Sequence, residues 1–237
     1  MNYYCPQYGV WREYCMPSSH WLRMNYYAER KDSTIIDEWN AVPVPPPPQL
    51  QSVSVDPKTS ALLVLDMETT ICNNPRCIAS ISKINQLLAR SRECGMLVVY
   101  SLTHTGSLSD IAAQIAPLPS DPVVKSNVDK FYKTDLEQIL HDHGIKTVLI
   151  TGYAANGAVL HTATSAAFRG YNVIIPVDGM SALNPYAEQY TAWHMVNSPG
   201  TRNRATLTKI NLIHFSHPYR RSEVWELGAS SKAHSPS

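Results

Sequence analysis

The sequence predicts an α/β fold: a three-layer α/β/α sandwich built on a mainly parallel sheet and preceded by an N-terminal arm. Three observations predict it. Short apolar runs rich in β-branched residues recur along the chain, as strands buried on both faces require. Segments of helical period separate them. Each of the first three helical segments stops at a glycine, at Gly95, Gly144 and Gly170, where a C-terminal cap favours one.

Taken in order, residues 1–57 read as an arm. It carries eight aromatics in its first thirty positions, among them Trp11 and Trp21, and then the run Pro43 to Pro48. Such a run favours extended polyproline geometry and acts as a stiff strap. So many aromatics are expected to pack on the body or on a neighbouring subunit. Residues 58–227 form the α/β domain. Its strands are read from Ala61–Leu65, Met96–Tyr100, Thr147–Ile150 and Val173–Ile175, with a last one over Thr206–Ile213. Its helices are read from Ile78, Ile81, Ile84, Leu87 and Leu88, from Leu136, Ile139 and Leu140, from Ala158 to Phe168, and from Pro185 to Val196. Right-handed crossovers then place helices on both faces of the sheet. The small, polar stretch 228–237 is a tail that frays.

Composition excludes several classes of function. Of 237 residues, 44% are hydrophobic, enough for a sizeable core. Twenty Lys plus Arg against nineteen Asp plus Glu leave a net charge of +1, so no global field draws nucleic acid or an anionic membrane. The longest apolar runs fall far short of the roughly 20 residues a spanning helix needs. The N-terminus lacks the basic start and apolar stretch of a secretory leader, and the reading is a cytoplasmic protein. Five cysteines at irregular spacing indicate neither a disulfide framework nor a zinc ribbon, so reduced thiols are expected. His141 and His143 stand at i,i+2 on a helix and cannot converge on one ion, so no metal and no cofactor is expected.

Ligands of open α/β sheets bind beyond the carboxyl ends of the strands. Two such ends hold chemistry. Asp66 closes the first domain strand after four apolar residues, where the alternative reading is a turn cap. The segment Ile150 to Ala158, which includes Asn156 and Gly157, closes a later strand and opens a helix. Its free N–H groups and the helix dipole therefore face the same mouth, ready for an oxyanion or a carboxylate.

Residues about 60 to 215 resemble the isochorismatase-like family of cysteine hydrolases, which are Rossmann-like in fold. The resemblance lies in Leu62 to Met67, in Val124-Lys125 followed by Asp129 to Leu136, and in Thr151 to Ala163 with Arg169 to Asp178. It implies Asp66 as general base, Lys125 as charge stabiliser, and a cysteine nucleophile at the position that Ala158 holds here. It also implies a cis peptide just upstream of that position, main-chain N–H groups from Gly157 and Ala158 as oxyanion donors, and assembly as a homodimer or homotetramer. The substrate class it implies is a small polar amide, ureido compound or vinyl ether. The zinc site of nicotinamidase relatives needs an Asp and closely spaced histidines after the second strand; here that region offers His104 alone.

A methyl group at 158 neither attacks a carbonyl nor ionises, and four accounts of it stay open. The first is an engineered Cys-to-Ala change. In the second, Asp66 activates water and Glu68, two residues on, forms an acid-base pair with it. In the third, another group attacks: Cys72 just past the strand, or His161 or Thr162 one turn after Ala158. In the fourth, the chain is a catalytically silent binder that kept the pocket. For Glu68, Cys72, His104, His161 and Thr162, a structural role is the competing reading.

Overall fold

The computed structural model describes residues 33–216, together with the backbone of two short strands, β1 (Tyr3–Cys5) and β2 (Val10–Arg12), which pair antiparallel. The chain divides into two units, Met1–Pro46 and Pro47–Ser237. Most of the aromatic arm, and the tail 228–237, lie outside the described residues. Within the first unit, Thr34 donates from its N–H and its Oγ1 to Asp37 Oδ2 at 2.8 and 2.7 Å, opening a turn over residues 35–42. Asx- and ST-type bonds of this kind start turns without any core behind them.

The second unit begins with β3 (Val53–Val55) and runs through β4 (Ser60–Leu65), α1 (Pro75–Glu93), β5 (Leu97–Leu102), β6 (Val123–Lys125), α2 (Leu136–Asp142) and β7 (Thr147–Tyr153). It continues with α3 (Leu160–Phe168), β8 (Asn172–Pro176), β9 (Met180–Ser181), α4 (Pro185–Asn197), β10 (Ala205–Thr208) and β11 (Ile213–Phe215). The main sheet has the order β10-β8-β7-β4-β5-β6, with β9 beside the end of β7, and every pair in it is parallel.

The apolar runs are continuous because both faces are covered. Along β4, Ala61, Leu63 and Leu65 point to one side, where Leu136, Leu140, Leu160, Ala163 and Met195 from α2, α3 and α4 meet them. Leu62 and Val64 point to the other, against Ile84, Leu87 and Leu88 of α1. The period of two thus splits one strand between two cores, which is the three-layer arrangement. Fully burying each of these leucines contributes about 1.5–3 kcal/mol. Helix α1 starts where Asn74 accepts from Cys77 N–H and Pro75 takes the first turn.

Three boundaries differ from the sequence reading. Val53–Val55, read as part of the arm, pairs in parallel with β11 and belongs to the second unit. The last strand is two strands: Asp178 Oδ1 accepts from Ile210 N–H at 3.0 Å, and a 3₁₀ turn over Ile210–Leu212 redirects the chain from β10 to β11. Helix α3 starts at Leu160 rather than Ala158, because Ala155–Val159 makes a wide π turn in which Gly157 is non-helical (φ −110°, ψ −107°).

Candidate active site

The main sheet brings the carboxyl ends of β4, β5, β6 and β7 to one edge, and four loops leave from it. At its floor, β7 comes unusually close to β4. Gly152 has φ +126°, and a Cβ there would lie 2.0 Å from Leu65 O, so only glycine lets the two strands reach this register beside Asp66. The following peptide, Tyr153–Ala154, is cis.

Asp66 leaves β4 in the left-handed region (φ 48°), a conformation that Asp tolerates better than most residues. Its N–H is held by Ser101 O at 3.2 Å, and Ser101 Oγ donates to Asp66 Oδ1 at 2.6 Å. Its other oxygen, Oδ2, meets Lys130 Nζ at 2.7 Å, with the Lys130 side chain fully buried. Burial pushes the Asp66 carboxyl above its usual range, against the opposing pull of the Lys130 ammonium and the Ser101 hydroxyl.

Lys130 is therefore the ammonium of this site. The pairing expected from the sequence, Asp66 with Lys125, is corrected: Lys125 Nζ donates to Gly106 O at 2.7 Å. The reason is topological. Lys125 ends the edge strand β6, level with Leu102, and its side chain reaches the loop after β5. The next residues turn back under the sheet edge, and Thr162 Oγ1 accepts from Lys130 N–H at 3.1 Å and donates to Val128 O at 3.3 Å. Thr162, one turn beyond Ala158, thus fixes the loop that carries the ammonium. Lys130 Nζ also faces Ser126 O at 3.0 Å, Asn127 O at 2.5 Å and Leu102 O at 3.4 Å. A lysine has three protons to give, and here four acceptors surround them.

Glu68 repeats the arrangement one step farther out. Its Oε1 accepts from Thr103 N–H at 3.0 Å and Thr103 Oγ1 at 2.7 Å. It is fully buried, and Gly106 packs so closely that a Cβ there would sit 1.6 Å from Oε1.

The other sequence candidates scatter. Ala158 is buried at the turn before α3, in one core with Leu65. Gly157 donates its N–H to Ala154 O at 2.9 Å, so that group is not the free oxyanion donor expected of it. Asn156, His104 and His161 are exposed. Cys72 is bonded to Cys77, with Cα atoms 5.3 Å apart, which corrects the reading of reduced thiols and removes Cys72 as a free nucleophile in this state. The turn Asn73-Asn74-Pro75 brings the two sulfurs together, and their spacing matches no framework pattern that would have announced it. Among the described residues no three His, Cys, Asp or Glu side chains cluster as a metal would need.

Chemically, the edge offers a buried carboxylate coupled to an ammonium, a second buried carboxylate beside it, and the backbone turn at Ala158. Lys130 was missed because its place depends on a loop folding back. The available signal was a lysine directly before Phe131, the residue at which the segment enters the core.

Residues 60–207 match the isochorismatase domain. Among curated proteins, the chain is 33% identical over 89 residues to the uncharacterized isochorismatase family protein YaaI of Bacillus subtilis, covering 37% of this chain and 49% of that one. It is 29% identical over 133 residues to streptothricin hydrolase of Streptomyces noursei, covering 50% and 52%. It is 24% identical over 126 residues to maleamate amidohydrolase of Pseudomonas putida, covering 43% and 59%. The chain thus spans about half the length of the first two of these relatives. Among solved structures, an isochorismatase family protein from Burkholderia thailandensis superposes with TM-score 0.59 at 21% identity, covering 68% of this chain and 95% of that one. N-carbamoylsarcosine amidase from Thermoplasma acidophilum does so with TM-score 0.56 at 24% identity, covering 65% and 97%. At these identities the structures speak for the fold.

Proposed function

The chain belongs to the isochorismatase family, and from that premise we propose that it hydrolyses a small polar amide, ureido compound or vinyl ether without a covalent enzyme intermediate. The observation that carries this reading is the buried Asp66–Lys130 pair beside the turn at Ala158. With a methyl group where the resemblance implies a thiol, water is the nucleophile. For an amide, Asp66 takes a proton from that water as its oxygen bonds to the carbonyl carbon. The carbonyl π pair moves onto oxygen, and the N–H of Ala158 faces the resulting charge. When the oxyanion collapses, the C–N bond breaks and the proton held by Asp66 passes to the departing nitrogen. Lys130 keeps Asp66 ionised between turnovers.

The relatives' names suggest the first substrates to try: maleamate, N-carbamoylsarcosine and isochorismate. Turnover of one of them by the natural sequence, abolished in Asp66→Asn and not enhanced in Ala158→Cys, supports the water mechanism. A second reading, a silent binder, is favoured by Ala158 itself and by the saturated Lys130 ammonium. Binding without turnover in the natural sequence, with hydrolysis appearing in Ala158→Cys, decides for that reading.

Self-association as a homodimer or homotetramer is part of the proposal, and light scattering on the purified chain tests it. No helix among the described residues is long and apolar enough to cross a membrane. For the compartment, the cytoplasmic reading of the sequence stands against the Cys72–Cys77 bond, since such bonds persist in oxidising surroundings.

A further inference from the structure

Buried polar atoms in folded proteins have partners, and each exception calls for an explanation. Glu68 is such an exception. Its Oε1 is doubly satisfied by Thr103, whereas its Oε2 is buried and has no hydrogen-bond partner among the described residues. Nor does any ammonium or guanidinium of the described residues pair with it, although a buried carboxylate without a counter-charge is costly.

The neighbouring acid shows what is missing. Asp66 and Glu68 stand two residues apart at the end of β4, and the hydroxyls that hold them, Ser101 and Thr103, stand two apart at the end of β5. On the inner rung, the hydroxyl takes one oxygen of Asp66 and Lys130 takes the other. On the outer rung, the hydroxyl takes one oxygen of Glu68, and the second lacks the cation its counterpart has. Lys125, the nearest candidate by position, spends its ammonium on Gly106 O. Gly106 leaves the space that Glu68 Oε1 occupies, since a Cβ there would lie 1.6 Å from it, and two bonds from Thr103 hold that oxygen in place.

The geometry points to Glu68 Oε2 as the receptor for a cationic N–H group of the ligand: an amidinium, guanidinium or ammonium on the same small molecule whose carbonyl lies over Asp66. This deepens the proposed function and rests on its placement of the substrate at this edge of the sheet. It narrows the substrate class to amides or ureido compounds that also carry a positively charged nitrogen. A charge-assisted bond to a buried carboxylate contributes enough to favour such a ligand about 10- to 100-fold over a neutral one of the same shape.

Methylguanidinium and methylurea have nearly the same shape and differ in charge. Titration calorimetry of the full chain should show the cation binding about tenfold or more tighter. Glu68→Gln, which keeps the shape and removes the charge, should bring the two within about twofold. Glu68→Asp, checked for native circular dichroism, should keep the preference for the cation with weaker binding. Equal affinities in the natural sequence overturn the proposal, and so does a cation preference that survives Glu68→Gln. Hydrolysis of maleamate with no cation preference at this site would overturn this inference alone. A cation preference lost in Glu68→Gln, in a protein that turns over nothing, would leave it standing and remove the hydrolytic reading.

Discussion

Lys130→Met tests the centre of the site. The change keeps much of the aliphatic stem and deletes an ammonium whose side chain is fully buried. Asp66 retains Ser101 Oγ at 2.6 Å but loses its counter-charge. Removing one member of a buried pair costs about 3–5 kcal/mol. That is a large part of a usual net stability of about 5–15 kcal/mol. In urea, with a slope of about 1–3 kcal/mol/M, the unfolding midpoint should fall by more than about 1 M. The deficit should also depend on pH. The Asp66 carboxyl is already raised above 3.8 by burial, so its contribution to stability is fully present below that value and is lost as pH rises through the raised one. Without Lys130 the carboxyl rises further, and the gap to the natural sequence widens as pH rises above 3.8. Asp66→Asn in the same background removes the titrating group. The double variant should therefore recover most of the loss and lose the extra pH dependence, a coupling of about 2 kcal/mol or more. If Lys130→Met lies within about 1 kcal/mol of the natural sequence at every pH, or is additive with Asp66→Asn, the two groups do not face each other in a dry interior.

Gly152→Ala should destabilise the chain by about 1–3 kcal/mol or more, because its Cβ would lie 2.0 Å from Leu65 O at φ +126°; an unchanged melting temperature would contradict that close approach. Cys72→Ser and Cys77→Ser should each show one more thiol than the natural sequence when titrated unfolded without reductant, and the double variant should show no increase. One thiol fewer in each single variant and two fewer in the double would mean that the two sulfurs are not bonded to each other.

Much of the sheet was legible because its strands are buried on both sides. Leu62 to Leu65 and Val148 to Ile150 are apolar throughout, as strands covered on both faces are. Strands β3, β6 and β9 were not legible, since two or three residues carry no period and exist as strands only through their neighbours. The same contrast divides the site. Asp66 announces itself as an acid at the end of an apolar strand. Glu68 is read from its spacing to Asp66, but its hold by Thr103 across 35 residues is not, and Lys130, placed by Thr162 across 32, does not announce itself at all. Local sequence carries no record of either distance.

Ala158 has a consequence for how this protein meets its surroundings. Thiol centres are stopped by peroxide and by alkylating reagents such as iodoacetamide, which capture the same sulfur that performs the attack. A buried methyl offers them nothing to seize, and Cys72 is already spoken for by Cys77. The proposed water mechanism therefore carries its own test: turnover should persist after treatment with peroxide or iodoacetamide.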